Sequence, residues 1–159
     1  SIDWEGPMYI RIGRGGEPVI YKEDYKYEIG KSITIKDGKD VTLIATGAIV
    51  FYAVAAAEKL SKDGIQARVI DMHTIEPIDK EAIIKAAKET GVIVTGEDHN
   101  ITGGLGTAVA EVLAEEGISC KFKRVGIPDV FGVFGTPEEL YHKYGYDADG
   151  IYSAVKGML

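Results

Sequence analysis

The stretch Val92-Ile93-Val94-Thr95-Gly96-Glu97-Asp98-His99-Asn100-Ile101-Thr102-Gly103-Gly104-Leu105-Gly106 decides the fold. Its first four residues are a short apolar run rich in β-branched side chains, the pattern of a buried strand in a parallel sheet. Polar residues and glycines follow. Val109, Val112 and Leu113 then recur at helical spacing until Gly117, where the helix is expected to stop. Strand, polar turn and helix in that order make one unit of an α/β sheet.

The same unit repeats on either side. Upstream, Ala67 to Met72 reads as a strand, and Asp79 is placed to cap a helix over Lys80 to Glu89 before Gly91. Earlier still, Ile33-Thr34-Ile35 and Val41 to Ala45 flank a turn at Asp37-Gly38. Val50, Ala53, Val54, Ala57 and Leu60 then mark an amphipathic helix ending at Asp63-Gly64. Downstream lie a strand near Cys120 to Val125 and an aromatic-glycine loop from Pro128 to Gly135. Thr136-Pro137-Glu138-Glu139 opens a helix with a cap, a first-turn proline and acids at its positive end. That helix is expected to reach Tyr144, and a last one to run from about Asp147 to Lys156. Alternation of this kind predicts an α/β fold: a three-layer α/β/α sandwich on a mostly parallel sheet of about five strands.

Residues 1–30 differ from this regular text. Met8 to Ile12 reads as a strand, and Gly13-Arg14-Gly15-Gly16 as its exit loop. Tyr21 to Glu28 is polar and aromatic without helical period, an extended connector. A lone strand needs sheet partners, and none is evident in the neighbouring sequence. The expected division is therefore 1–30, the last strand of a preceding domain plus linker, and 31–159, one domain. The opening Ser1-Ile2-Asp3 without an initiator methionine suggests a processed or excised piece.

Composition narrows the function. A chain of 159 residues, 45% hydrophobic and 27% charged, describes a globular protein and excludes a disordered tail or a fibre. Its formal charge of −7 argues against nucleic acid, which needs a basic face. Lys121, Lys123 and Arg124 gather locally, but alternation sends Lys121 and Lys123 to one solvated face. No apolar run is long enough to span a membrane, and Ser1 to Glu5, with no basic stretch followed by an apolar core, are not expected to be a signal peptide. Cys120 is the single cysteine, so there is neither an intrachain disulfide nor a cysteine metal cluster; a reducing, cytoplasmic setting fits.

Chemistry-bearing candidates are few. Gly104-Leu105-Gly106 lacks the sixth-position glycine or alanine of a dinucleotide fingerprint, where Val109 stands. It reads as a closely packed helix start. Glu97-Asp98-His99 falls just past the carboxyl end of its strand, where open α/β sheets place ligands. Three consecutive side chains cannot share one pocket, so capping and interface roles come before catalysis. His99 is kept as a substrate-binding candidate. His73 and His142 lack metal-ligand spacing to His99, and His73 reads as a loop or interface residue. Arg14, beside two glycines that permit close approach, is a candidate clamp for phosphate or carboxylate.

These segments together resemble the transketolase family. The stretch Gly6 to Arg14 resembles the last strand of its pyrimidine-binding domain, and Lys31 to Leu159 its C-terminal domain. Thr46-Gly47, Asp71-Met72-His73-Thr74-Ile75-Glu76-Pro77-Ile78-Asp79 and Glu97 to Glu111 carry the likeness. Asp129-Val130-Phe131-Gly132 and Pro137-Glu138-Glu139-Leu140 tip it towards transketolase within its superfamily, while Val133-Phe134 departs from the usual polar pattern and reads as an exposed apolar contact surface.

The resemblance implies transfer of a two-carbon ketol unit between sugar phosphates by thiamine diphosphate with Mg²⁺. It places Arg14 on the substrate phosphate. It puts the activating glutamate and the cofactor site outside this segment, so no catalytic, cofactor-binding or metal-binding residue is assigned here and the segment alone is expected to be inactive. Partners implied are the remaining transketolase domains or an N-terminal subunit, in a homodimer. Alternatives are a section of a 2-oxoacid dehydrogenase beta subunit or of deoxyxylulose-phosphate synthase, and a stand-alone module binding an anion at the Gly103 to Gly106 helix start.

Overall fold

A computed structural model describes residues 4–13, 16 and 18–159. Ten elements follow one another: β1 (Ile33–Lys36), β2 (Val41–Ala45), α1 (Ile49–Lys62), β3 (Ala67–Asp71), α2 (Lys80–Thr90), β4 (Val92–Asn100), α3 (Leu105–Glu115), β5 (Lys121–Ile127), α4 (Pro137–Tyr144) and α5 (Ala148–Lys156). The strands form one sheet in the order β1-β3-β2-β4-β5. All pairings are parallel except that of β1, which runs antiparallel along β3. The turn at Asp37-Gly38 therefore joins two strands that do not pair. Gly38 lies tight against the start of β3, where an added Cβ would meet the Ala67 carbonyl carbon, so the turn carries the chain past β3.

Both faces of the sheet are apolar because the central strands are apolar at odd and even positions alike, and alternate side chains leave a strand on opposite faces. Leu43, Ala45, Val69 and Val94 pack with Ile49, Ala53 and Ala57 of α1 and with Ile151 and Val155 of α5. Ile44, Ile70 and Ile93 pack on the other face with Ile83 and Ala86 of α2 and with Leu105, Val109 and Val112 of α3. Helices thus cover the sheet in three layers, as the alternating pattern predicts. β5 is the half-wet edge: Lys121 and Lys123 are exposed, whereas Arg124 turns inward to donate to the Ile101 carbonyl oxygen at 2.9 Å.

The helices on the two faces define where a crevice must open. β2 feeds α1 on one face and β4 feeds α3 on the other, and the two strands are neighbours. Chains leaving their carboxyl ends therefore diverge, and this topological switch is where open α/β sheets receive ligands.

Two boundaries differ from the sequence reading. β4 continues through Asn100, so Glu97, Asp98 and His99 belong to the strand and not to the turn after it. The strand outlasts its apolar run because Asn100 still pairs with Ile127, past an irregularity in the register between Gly96 and Asn100. Met8 to Ile12 carries no strand pairing among the described residues of this chain. Tyr9 and Ile12 stand 88% and 83% exposed, so β-forming side chains there find no sheet to cover them.

Candidate functional site

Strand alternation sorts the three polar residues of β4 onto different faces. Glu97 points beneath α3 and is completely buried. Its two carboxylate oxygens accept from the backbone N–H groups of Leu105 at 2.8 Å and Gly106 at 3.0 Å. Unpaired first-turn amides and the helix dipole make a helix start an anion site, and here the anion is the protein's own side chain. Gly104 is what lets it fit, because a Cβ there would lie 2.0 Å from Glu97 Oε2 and 2.6 Å from His99 Cε1. The close-packed reading of Gly104-Leu105-Gly106 agrees with this. The stand-alone anion-binding reading is corrected by it, since the amides such a module would use are taken by Glu97.

His99 lies on the same side as Glu97, its Nδ1 3.1 Å from Glu97 Oε2 and 3.3 Å from the Asn100 carbonyl oxygen. The ring is about one-third exposed. It borders the helix start and supports Glu97; its role towards a substrate stays a proposal.

Asp98 leaves the strand on the opposite face, into the crevice. Both its oxygens accept from the Arg11 guanidinium, Nη1 at 2.6 Å and Nη2 at 3.0 Å, in the two-pronged geometry that suits arginine and carboxylate. The bond to Asp98 holds the Arg11 guanidinium above its ordinary pKa, against the opposing effect of burial. The crevice, about 620 Å³, has Gly47 and Ala48 at its floor, and Tyr52, Glu138 and Tyr141 along one wall. Gly47 adopts φ +58°, a left-handed turn that carries β2 into α1. Tyr141 packs against Tyr52 and Tyr146 with ring centres 5.4 and 4.9 Å apart, and burial pushes the Tyr146 hydroxyl up to about 12. Arg11, Ile12 and Gly13 of the opening segment close the other side.

The connector is tied down at the end of β3 as well. Tyr21 donates to the buried Asp71 carboxylate at 2.5 Å and stacks on Tyr25 at 3.9 Å. Burial pushes the Asp71 carboxyl up, with the Tyr21 bond and nearby His73 opposing it. Tyr27 lies 4.3 Å from the His73 ring, whose Nδ1 is 2.8 Å from Thr74 Oγ1 and whose buried Nε2 has no partner among the described residues. Burial lowers the His73 pKa. Ile20 joins the core cluster around α1. Sequence reading missed Arg11–Asp98 and Tyr21–Asp71 because each partner lies 50 or more positions from the other, and nothing local marks the match.

Arg14 lies outside the described residues. Among those described, no group of three histidine, cysteine or carboxylate side chains is close enough to hold a metal ion. With the α3 amides also occupied, the described residues do not form a cradle for a diphosphate and its cation. No described helix is long and apolar enough to cross a membrane.

An open, mostly parallel α/β sandwich with a crevice at its switch point and its own N-terminal segment folded across that crevice defines the class of domain. Residues 30–151 match the model of the transketolase C-terminal domain family, and the chain belongs to that family. It is 44% identical over 151 residues to an apulose-4-phosphate transketolase subunit of Phocaeicola vulgatus, covering 94% of this chain and 48% of the relative. It is 40% identical over 160 residues to 1-deoxy-D-xylulose-5-phosphate synthase of Heliobacterium modesticaldum, covering 99% of this chain and 25% of that enzyme. A solved structure described as a split gene transketolase, inactive beta4 tetramer, superposes with a TM-score of 0.86 at 44% identity, over 92% of this chain and 48% of the other. The chain thus spans about half the length, or less, of the relatives it matches.

Proposed function

We propose that this chain is the C-terminal section of a thiamine-diphosphate-dependent transketolase that moves a two-carbon ketol unit between sugar phosphates. In that reading residues 31–159 serve assembly and dimerisation, residues 1–30 bring the last strand of the pyrimidine-binding domain, and Arg14 holds the substrate phosphate. Thiamine diphosphate with Mg²⁺ supplies the electron sink from elsewhere in the assembly, and the described residues take no bond-making part. The lone cysteine fits a reducing, cytoplasmic location.

One observation carries the reading. The chain matches transketolase relatives along nearly all of its length while covering about half of theirs, and its switch-point crevice is crossed by its own Arg11 segment. Calorimetry on the chain alone and a ketol-transfer assay with and without the N-terminal section test it. Transfer only in the reconstituted assembly, with no tight thiamine-diphosphate binding by the isolated chain, is the expected result. Tight cofactor binding to the isolated chain would overturn it. Decarboxylative condensation of pyruvate with a triose phosphate by the assembly would reassign it to the synthase branch.

A further inference from the structure

Among the described residues after Lys31, the large hydrophobic side chains left exposed are Phe51, Val130, Phe131, Val133, Phe134 and Leu159. Single exposed apolar residues are ordinary, but four of these six fall in one run of five positions. Phe131 and Phe134 are fully open to water, and neither joins either core cluster. Nothing lies within 4 Å of where a Cβ on Gly132 would stand. The loop is nonetheless held at both ends. Asn100 Nδ2 lies 3.5 Å from Asp129 Oδ1, and Thr136 and Glu139 cap the start of α4 reciprocally. Rings carried between fixed roots lose less freedom when they are covered.

Placement indicates what covers them. The loop leaves the carboxyl end of β5 and returns to Pro137, which lines the switch-point crevice with Ile12, Gly13 and Phe51. Exposed apolar side chains of the sandwich thus gather at the end where the opening segment arrives. Tyr9, Ile10 and Ile12 are exposed there as well, as expected of a strand whose sheet belongs to the domain before it. A chain advances at most about 3.6 Å per residue, so the Phe134 Cα lies within about 11 Å of that of Pro137. A domain of about 100 residues has a radius of gyration of about 13 Å. The body whose sheet takes in Met8 to Ile12 is therefore wide enough to reach the loop. Asp129 and Glu138 flank the loop, so the surface that matches it is an apolar pocket with a basic margin.

We propose that Phe131 and Phe134 seat the pyrimidine-binding domain that precedes the sandwich in the same polypeptide, a role that rests on the domain division given above. The two rings enter an apolar pocket on that domain and set how the sandwich is held against it. They take no part in bond making.

The test replaces Phe131 by photoreactive p-benzoylphenylalanine in the full-length polypeptide, prepared as a mixture of isotopically light and heavy chains and assembled with any separate N-terminal subunit. Mass spectrometry identifies the cross-linked peptide. A cross-link into the pyrimidine-binding domain of the same chain is expected. A link to the N-terminal subunit, a link joining light to heavy chains, or no link at all overturns the proposal. Hydroxyl-radical oxidation of the unsubstituted polypeptide is the second measurement. Phe131 and Phe134 are expected to react at least about fivefold more slowly than in urea, at every dilution and with or without the N-terminal subunit. Rates equal to those in urea, slowing only after the subunit is added, or slowing lost on dilution each overturn it. Amide exchange at Met8 to Ile12 checks the domain division separately. Slow exchange there with open phenylalanines sinks the docking alone, whereas fast exchange sinks the division on which it rests.

Discussion

Glu97 is a buried carboxylate with a structural role, holding the start of α3. Both its oxygens are engaged by the protein itself, through the two α3 amides and the His99 ring. Glu97→Ala would strand both amides, and a stability loss of about 2–4 kcal/mol is expected by denaturant unfolding. Gly104→Ala should be destabilising as well, because the new Cβ would displace a carboxylate already pinned by two bonds. His73 sets a pH dependence. Its folded-state pKa is lowered by burial, so the unfolded chain takes up a proton that the folded one resists. Stability from this residue is complete above the unfolded pKa of about 6.5 and is lost as pH falls below it. Thermal unfolding between about pH 7.5 and 5.5 should show this decline, and His73→Gln should flatten it.

Among elements, α2 is the one whose start was most legible and yet does more than the sequence indicates. Asp79 accepts from the Ala82 N–H at 3.1 Å as the cap read from the sequence. Its other oxygen accepts from the backbone N–H and the hydroxyl of Ser32 at 2.8 and 2.9 Å. The cap therefore also fixes the approach to β1, the antiparallel edge strand. Asp79→Ala is expected to cost about 1–2 kcal/mol, with hydrogen exchange rising in both α2 and β1; exchange rising in α2 alone would refute the double role. β4 was the least legible element. Its run Val92-Ile93-Val94 is apolar and declares itself, but Glu97 to Asn100 are polar, and the strand extends to them because Asn100 pairs with Ile127 of β5 past an irregularity in the register. Helix boundaries were legible because caps and glycines act within a few residues of one another, as Thr136 with Glu139 and Gly91 with Ala87 do.

For the whole molecule, the described residues of the N-terminal segment meet the sandwich through Arg11 on Asp98, Ile20 on the core around α1, and the Tyr21 to Tyr27 stretch on Asp71 and His73. A chain beginning at Lys31 is expected to keep its helix and strand content by circular dichroism, because both core clusters draw almost wholly on residues after it. Hydrogen exchange should rise at residues 71–73 and 97–100, where the cover is lost. Loss of the sheet itself would show that the segment is part of the core. The exposed loop carrying Phe131 and Phe134, both fully open to water, belongs to this scale too, since such side chains are the ones an assembly would cover.

Period and punctuation, both local properties, settled the α/β class and the order of elements from sequence alone, and the quoted motifs carried the resemblance to transketolase. The sequence placed Glu97, Asp98 and His99 past the strand and held only that three consecutive side chains cannot all enter one pocket; that they alternate along β4 was decided by the structure. Tertiary structure alone decided which partner each acquired: the α3 amides for one, Arg11 for the other. The reason is physical. Hydrogen-bond and charge complementarity act over about 3 Å in space, and no rule of periodicity connects residue 11 with residue 98 until the sheet has brought them together.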